Sequence, residues 1–277
     1  MLLNHTLTGT LCELIGVLLV NGISLAPISG GNIKGDYLVN LILPGLILFA
    51  GMLGSVLLKK LSPMGATAGG LIGAFVFLGA GYTGLGMLVL FFLLGTLATW
   101  WGRQVKINLF DEPIMKTGRT AGQVIANGGI AGICGLGIIL FPARQTLLTL
   151  MMASGLASAT ADTLASELGT LYGRNFYNCL TFQKDQKGLD GVISLEGTLL
   201  GALGALLIAL VYKWGYGSSN LILLIVLAGM AGNLADSVLG AGFERKGLLK
   251  NDQVNFLSTL IAASLAAICY FSFLFFK

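Results

Sequence analysis

The chain alternates long apolar runs with short polar ones. A helix that crosses a bilayer needs about 20 mostly apolar residues. Runs of that kind fall at 7–27, 38–58, 65–81, 84–101, 121–141, 146–168, 195–214, 220–243 and 253–276. The expected fold is therefore an all-α, polytopic transmembrane helix bundle of about nine spans. Glu13 interrupts the first run, and the runs at 65–81 and 84–101 are short enough to form a re-entrant pair. No linker separates the runs, so residues 1–277 are read as a single integral membrane domain whose polar motifs concentrate at 116–263.

Loop charges orient the spans, because cytoplasmic loops collect Lys and Arg. With the N-terminus cytoplasmic, the inner loops hold Lys59, Lys60, Arg103, Lys106, Lys116, Arg119, Arg174, Lys184, Lys187, Arg245, Lys246 and Lys250. The outer side holds only Lys34, Arg144, Lys213 and Lys277, a split of twelve to four among the 16 basic residues. A multi-pass protein of the cell (plasma or inner) membrane, with its active face cytoplasmic, is expected.

Composition sharpens this picture mostly by exclusion. Charged residues make up 10% of the chain and the mean hydropathy is +0.87, against roughly 25% charged in soluble domains. The net charge of +4 is spread along the chain and argues against nucleic-acid binding. The single histidine, His5, removes histidine triads, zincin motifs and haem ligation. Cys12, Cys134, Cys179 and Cys269 form no C-x-x-C pair and read as packing residues. The first 30 residues hold no Lys or Arg, so the first span is expected to be retained rather than cleaved. Gly69 and Gly73, Gly128 and Gly132, Gly197 and Gly201, and Ala153, Ala157 and Ala161 recur at i, i+4, the spacing that lets helices approach closely in lipid. The composition is compatible with an oligomer.

An ionisable group deep in a bilayer costs roughly 2.5–3.5 kcal/mol on insertion scales, so such groups ask for a reason. Three segments carry them. The run ADTLASELG places Asp162 and Ser166 one helical turn apart, followed by Glu167. The run GNLADSVLGAGFE sets Gly232, Asp236, Gly240 and Glu244 at i, i+4 along one face. The loop after 168 carries Lys184, Lys187, Asp190 and Glu196. Two of these segments read as copies of one pattern. Ala161-Asp162-Thr163 and Ala235-Asp236-Ser237 each lie toward the inner end of a span. A loop with Lys-Gly-Leu follows each (187–189, 246–248), then Asp-x-Val-x-x-Leu (190–195, 252–257) opens the next span. The repetition suggests an internal duplication in parallel orientation.

Carboxylates and amines converging at one depth suit phosphoryl transfer, in which carboxylates hold Mg²⁺ while Lys, Arg and backbone N–H groups surround the phosphates. Glycine beside Lys187 and Lys246 would allow close backbone approach, and Gly118-Arg119 would set a guanidinium before a helix N-terminus. The same residues admit plainer readings. The lysines also serve as ordinary inner-loop charges, Asp162 and Asp236 as helix-end carboxylates near water, and Asn127, Asn233 and Asn255 as interhelical glue. No G-x-x-x-x-G-K-[ST] stretch is present, which excludes a P-loop kinase.

On these stretches the chain resembles an integral-membrane family that includes plant phytyl-phosphate kinase and the transmembrane-protein-nineteen-like proteins. The matching segments are GRTAGQVIANGG, ATADTLASELG, KGLDGVISLEGT and GNLADSVLGAGFERKGLLKNDQVNFLSTL, with LSPMGATAGG at 61–70 a weaker match. More distantly, D-x-x-A-S-x-x-G and Ser194–Thr198 are similar to motifs of phytol kinase and dolichol kinase, which use CTP on prenyl alcohols. The resemblance implies a membrane phosphotransferase that moves a phosphoryl group from a nucleoside triphosphate, CTP by analogy, to a polyprenyl or phytyl monophosphate. It implies Asp162, Glu167, Asp190 and Asp236 as catalytic groups, with Asp162, Asp190 and Asp236 as Mg²⁺ ligands. Arg119, Lys187 and Lys250 would bind phosphate, with Asn127, Ser194, Thr198, Asn233 and Asn255 as polar supports. The expected partners are a lipid substrate in the bilayer and a nucleotide from the cytosol. One departure is that Tyr172–Lys184 lacks the proline-bearing loop usual in the family. Two other classes stay open on the residues alone: a CTP-using lipid nucleotidyltransferase, and a transporter or flippase of a lipid phosphate or small solute.

Overall fold

A computed structural model of the chain describes residues 33–102 and 118–275. The expected first span at 7–27, with Glu13 in it, lies outside the described residues. Seven helices follow in order: α1 (Ile33–Leu57), α2 (Pro63–Trp100), α3 (Ala121–Leu140), α4 (Gln145–Tyr172), α5 (Leu195–Tyr216), α6 (Ile222–Leu239) and α7 (Asn251–Phe275). A two-residue antiparallel pair, β1 (Tyr177–Asn178) with β2 (Val192–Ile193), ties the α4–α5 loop, with Tyr177 opposite Ile193. Among the described residues six helical segments are long and apolar enough to cross a membrane, with α2 counted once, and Ile42–Leu57 forms a shorter apolar stretch. The expected total of nine rests partly on residues outside the description.

The expected spans at 65–81 and 84–101 are the two arms of α2. A straight 38-residue helix would be about 57 Å long, nearly twice the hydrocarbon thickness of about 30 Å. At Gly81 the backbone adopts φ 63° and ψ −156°, a conformation that glycine reaches without steric cost. Both ends of α2 then return to one residue. Leu61 bridges to Arg119, and a Cβ on Gly95 would lie 3.1 Å from the Arg119 Nη2. In a straight helix Leu61 and Gly95 would sit about 50 Å apart. The chain therefore reverses at Gly81, and Tyr216 caps the turn by donating to the Ala80 carbonyl at 2.9 Å.

Helix α4 is the hub: it packs against α2, α3, α5, α6 and α7, and its middle is buried on every side. Small residues make these approaches close. A Cβ on Gly197 or Gly201 of α5 would come within 2.9 Å of the Ala165 or Ala161 carbonyl of α4, so α5 can lie backbone to backbone on α4 only without side chains there. Helix starts are set by local caps. Ser62 accepts from Gly65 N–H, and Ser194 from Gly197 N–H. Thr120 and Gln123 form a reciprocal capping box.

The bundle has two distinct ends. The β1–β2 loop and the starts of α3, α5 and α7 lie at one end, with Lys59, Lys60, Arg119, Arg174, Lys184, Lys187, Arg245, Lys246 and Lys250. Arg144, between α3 and α4, and Lys213, in the last turn of α5, lie at the other. Among described residues the charge partition expected from the sequence is a partition in space.

Candidate functional site

A cavity of about 320 Å³ opens at the basic end, walled by α3, α4, α5, α6, the start of α7 and the loop before α5. That size is at the lower end for small-molecule sites. Its lining is mainly polar. Of the twelve residues expected from the sequence, ten line it: Arg119, Asn127, Asp162, Glu167, Asp190, Ser194, Thr198, Asn233, Asp236 and Asn255.

The floor is built from two helices that meet at their carboxylates. Asp162 of α4 and Asp236 of α6 bring their carboxyl groups within hydrogen-bonding reach of one another. The outer oxygen of Asp236, Oδ2, is buried without a hydrogen-bond partner. The Ser258 hydroxyl of α7 lies alongside while donating to the Asn255 carbonyl at 2.9 Å. Glu244 adds a further carboxylate near Asp190 and Asp236. It reaches the cavity because α6 ends in a π-helical turn, Gly240–Glu244, which shifts the i, i+4 register of its last residues.

Arg119 adds a cation to the lining. Arg119 is pinned to the start of α2 by two backbone bonds, its N–H to the Lys60 carbonyl at 2.9 Å and Ser62 N–H to its own carbonyl at 3.0 Å. Its Nη2 donates to Thr99 Oγ1 at 3.4 Å, and Thr99 in turn donates to Glu167 Oε1 at 2.7 Å. Burial pushes the Arg119 guanidinium below its ordinary value, and the Glu167 carboxylate pushes back. Near α3, Asn127 Nδ2 donates to the Gln123 carbonyl at 3.0 Å.

The loop before α5 forms the rim. Arg245 donates through Nη1 to Asp185 Oδ2 at 2.8 Å and through Nε to the Asp190 carbonyl. Cys179 Sγ donates to the Ser237 carbonyl at 3.1 Å, and burial pushes this thiol up. Gly191, at φ 70°, presses onto α6, where a Cβ would meet the Ala241 side chain and the Ser237 carbonyl. The Lys-Gly-Leu turns of the two half-motifs also correspond in shape, with Gly188 at φ 84° and Gly247 at φ 69°.

Two of the twelve expected residues stand apart. Lys187 and Lys250 do not line the cavity. The Lys187 ammonium sits 5.7 Å from the centre of the Phe176 ring, and Lys250 uses its backbone to start α7, its N–H donating to Gln253 Oε1. Side-chain direction in these loops is set by tertiary packing, so spacing alone could not aim these lysines. Ser194 is buried, and its hydroxyl is used as the α5 cap. Among the described residues no group of three or more His, Cys, Asp and Glu side chains converges as a metal cage. Sequence reasoning also missed Gln123, Asn251 and Ser237, which line the site, and Thr99, which bridges Arg119 to Glu167. The Thr-x-x-Gln capping box was a usable signal for Gln123. Nothing local marked Thr99.

The sequence profile of the family described as integral membrane protein DUF92 matches residues 46–263. The chain is 35% identical over 220 residues to an uncharacterized membrane protein of Methanocaldococcus jannaschii, covering 78% of this chain and 90% of that one. It is 30% identical over 211 residues to an uncharacterized membrane protein of Synechocystis, covering 75% and 82%. It is 30% identical over 227 residues to protein VTE6, chloroplastic, of Arabidopsis thaliana, covering 78% and 67%. No solved structure matches.

Proposed function

The chain belongs to the integral membrane protein DUF92 family, and from that premise we propose that it is a membrane phosphotransferase. It transfers the γ-phosphoryl group of a nucleoside triphosphate, CTP by the resemblance of its motifs, to an isoprenyl monophosphate. The observation that carries this reading is the Asp162–Asp236 pair with its buried, unpartnered Oδ2, in the same polar cavity as Arg119 at the end of the bundle.

The donor set fits Mg²⁺. That ion commonly takes one or two carboxylates and fills its octahedron with phosphate oxygens and water, so a facing pair suits it better than a closed cage. Asp162 and Asp236 would hold it, and when bound it neutralises charge on the triphosphate. Arg119, fixed from both sides by the α2 backbone and Thr99, presents its guanidinium to phosphate oxygens. An oxygen of the acceptor phosphate attacks the γ-phosphorus. A new P–O bond forms as the bond to the β,γ-bridging oxygen breaks, and the nucleoside diphosphate leaves with that electron pair. A dianionic acceptor supplies its own nucleophile, so no side chain has to remove a proton. A polar cavity at the end of an apolar bundle suits a substrate with a charged head and a lipid tail. The twelve-to-four charge split supports a cytosolic face for the cavity, the side on which a nucleotide is available.

The test is purified protein in phospholipid vesicles, given CTP, Mg²⁺ and a panel of prenyl monophosphates and alcohols. Formation of a prenyl diphosphate and CDP, abolished by EDTA, is expected. Release of pyrophosphate with a CDP-lipid product from the monophosphates would instead make it a nucleotidyltransferase. Solute movement without nucleotide turnover would make it a transporter.

A further inference from the structure

The α4–α5 loop has a second face, turned away from the cavity. Its hairpin tip, Cys179–Phe182, is built rigidly around Asn178. The Asn178 side-chain oxygen accepts from Leu180 N–H at 2.9 Å and Thr181 N–H at 3.2 Å, and its carbonyl accepts from Phe182 N–H at 2.9 Å. This fixed tip displays apolar side chains: Leu180 is 48% exposed and Phe182 77%. Phe182 stands at φ 55°, where glycine or asparagine would be unstrained and a bulky residue is out of place. A water-facing turn has no use for that combination.

Its position says what it faces. The hairpin does not stand above the bundle but lies along the last turns of α6. Cys179 reaches the Ser237 carbonyl, and Leu180 Cδ1 lies 3.7 Å from where a Cβ on Gly242 would be. Both contacts fall within the apolar segment Ser219–Glu244, with Ser237 about 10 Å below its last residue. On that face of α6 Leu234 and Val238 are exposed, which in a membrane span means lipid-facing. Gly242 follows Val238 in the π-helical turn that ends the segment, and Leu180 packs over it, so the hairpin adds its apolar side chains beside these two residues. Lys184, bridged to Tyr177 on the same hairpin, and Lys246, next to Arg245, are exposed, while Arg245 is engaged by Asp185.

We propose that this hairpin is a membrane-dipping anchor: Leu180 and Phe182 sit in the interfacial layer beside α6, and Lys184 and Lys246 meet anionic headgroups. Apolar side chains at that depth with basic neighbours are the signature of interfacial insertion. The anchor would tether, from the lipid side, the same loop whose inner strand forms the cavity rim. It is independent of the reaction proposed above.

The experiment places p-benzoylphenylalanine at position 182 of the full chain, and separately at 180, in vesicles of phosphatidylcholine with phosphatidylglycerol. Leu199, 61% exposed on α5, serves as the lipid-facing reference. Irradiation is expected to give phospholipid adducts at 182 and 180 in yields of the same order as at 199, with phosphatidylglycerol enriched over its bulk fraction. Adducts at 199 but none at 182 and 180, or crosslinks from 182 to a second copy of the chain, would overturn the proposal. Two labelled positions on one turn keep the test decisive if one variant misfolds.

Discussion

Asp162 and Asp236 face each other at the floor of the cavity, brought together from the equivalent Ala-Asp-Thr and Ala-Asp-Ser steps of α4 and α6. In a bilayer two adjacent carboxyl groups are costly, and an unpartnered Oδ2 between helices adds to that cost. Asp→Asn at either position keeps the shape and removes the charge. If the pair holds Mg²⁺, CTP turnover falls by about 10²–10³-fold, or about 3–4 kcal/mol. Thermal stability in detergent is retained, and activity returns in part at high Mg²⁺. Two fully active variants would move the site elsewhere.

Arg119 is oriented by Thr99 on the returning arm of α2. Arg119→Lys keeps a charge but loses the planar fork that suits phosphate. A lost hydrogen bond to a charged group is worth about 1.5–3 kcal/mol, so kcat/KM for the nucleotide should fall by about 10–100-fold. Thr99→Val should raise KM more than it lowers kcat, because it frees Arg119 without removing it. Steady-state kinetics separates the two, and equal effects on both parameters would reject the positioning role of Thr99.

Backbone packing of α5 on α4 depends on Gly197. Its Cβ position is 2.9 Å from the Ala165 carbonyl and 3.2 Å from Gly169 Cα, and neither atom can swing aside. Gly197→Ala should cost about 1–3 kcal/mol as overpacking and lower the Tm by several degrees. Gly45→Ala, with nothing within 4 Å, is the matched control and should be neutral. A Gly197→Ala variant that melts like wild type would show that the helices can part without penalty.

The rim hairpin should loosen in acid. The Arg245 guanidinium, the Gln186 N–H and Asn178 hold the Asp185 carboxyl below the usual carboxylate range. A depressed native value means that the ion pair contributes above the unfolded value of about 4 and is lost as pH falls through the lower native one. Amide protection across 177–193, measured by hydrogen exchange, should therefore fall as pH drops below about 4. In Asp185→Asn, protection should be lower at neutral pH and flat through that window. An unchanged acid profile in the variant would assign the effect to other carboxylates.

The apolar runs by themselves determined that this is a helical membrane protein and where most helices lie, because hydrophobic length is a local, one-dimensional property. They also brought ten of twelve expected polar residues to one cavity, since burying charge in lipid is expensive enough to confine such residues to a shared polar site. Caps such as Thr120-x-x-Gln123 were likewise readable, because their partners are three residues apart. Tertiary structure alone decided the rest. The reversal at Gly81 returns Gly95 and Thr99 to Arg119, a contact that no spacing announces. The π-helical turn after Leu239 changes the period on which Glu244 was placed. The left-handed Gly188 and Gly247 end local periodicity, so where Lys187 and Lys250 point is settled by how the loops pack on Phe176 and at the start of α7. Asp162 and Asp236 meet only because small residues let α4 and α6 come together, as where Gly229 packs on Ala157, and helix crossings are set by the shapes of both partners rather than by either sequence alone.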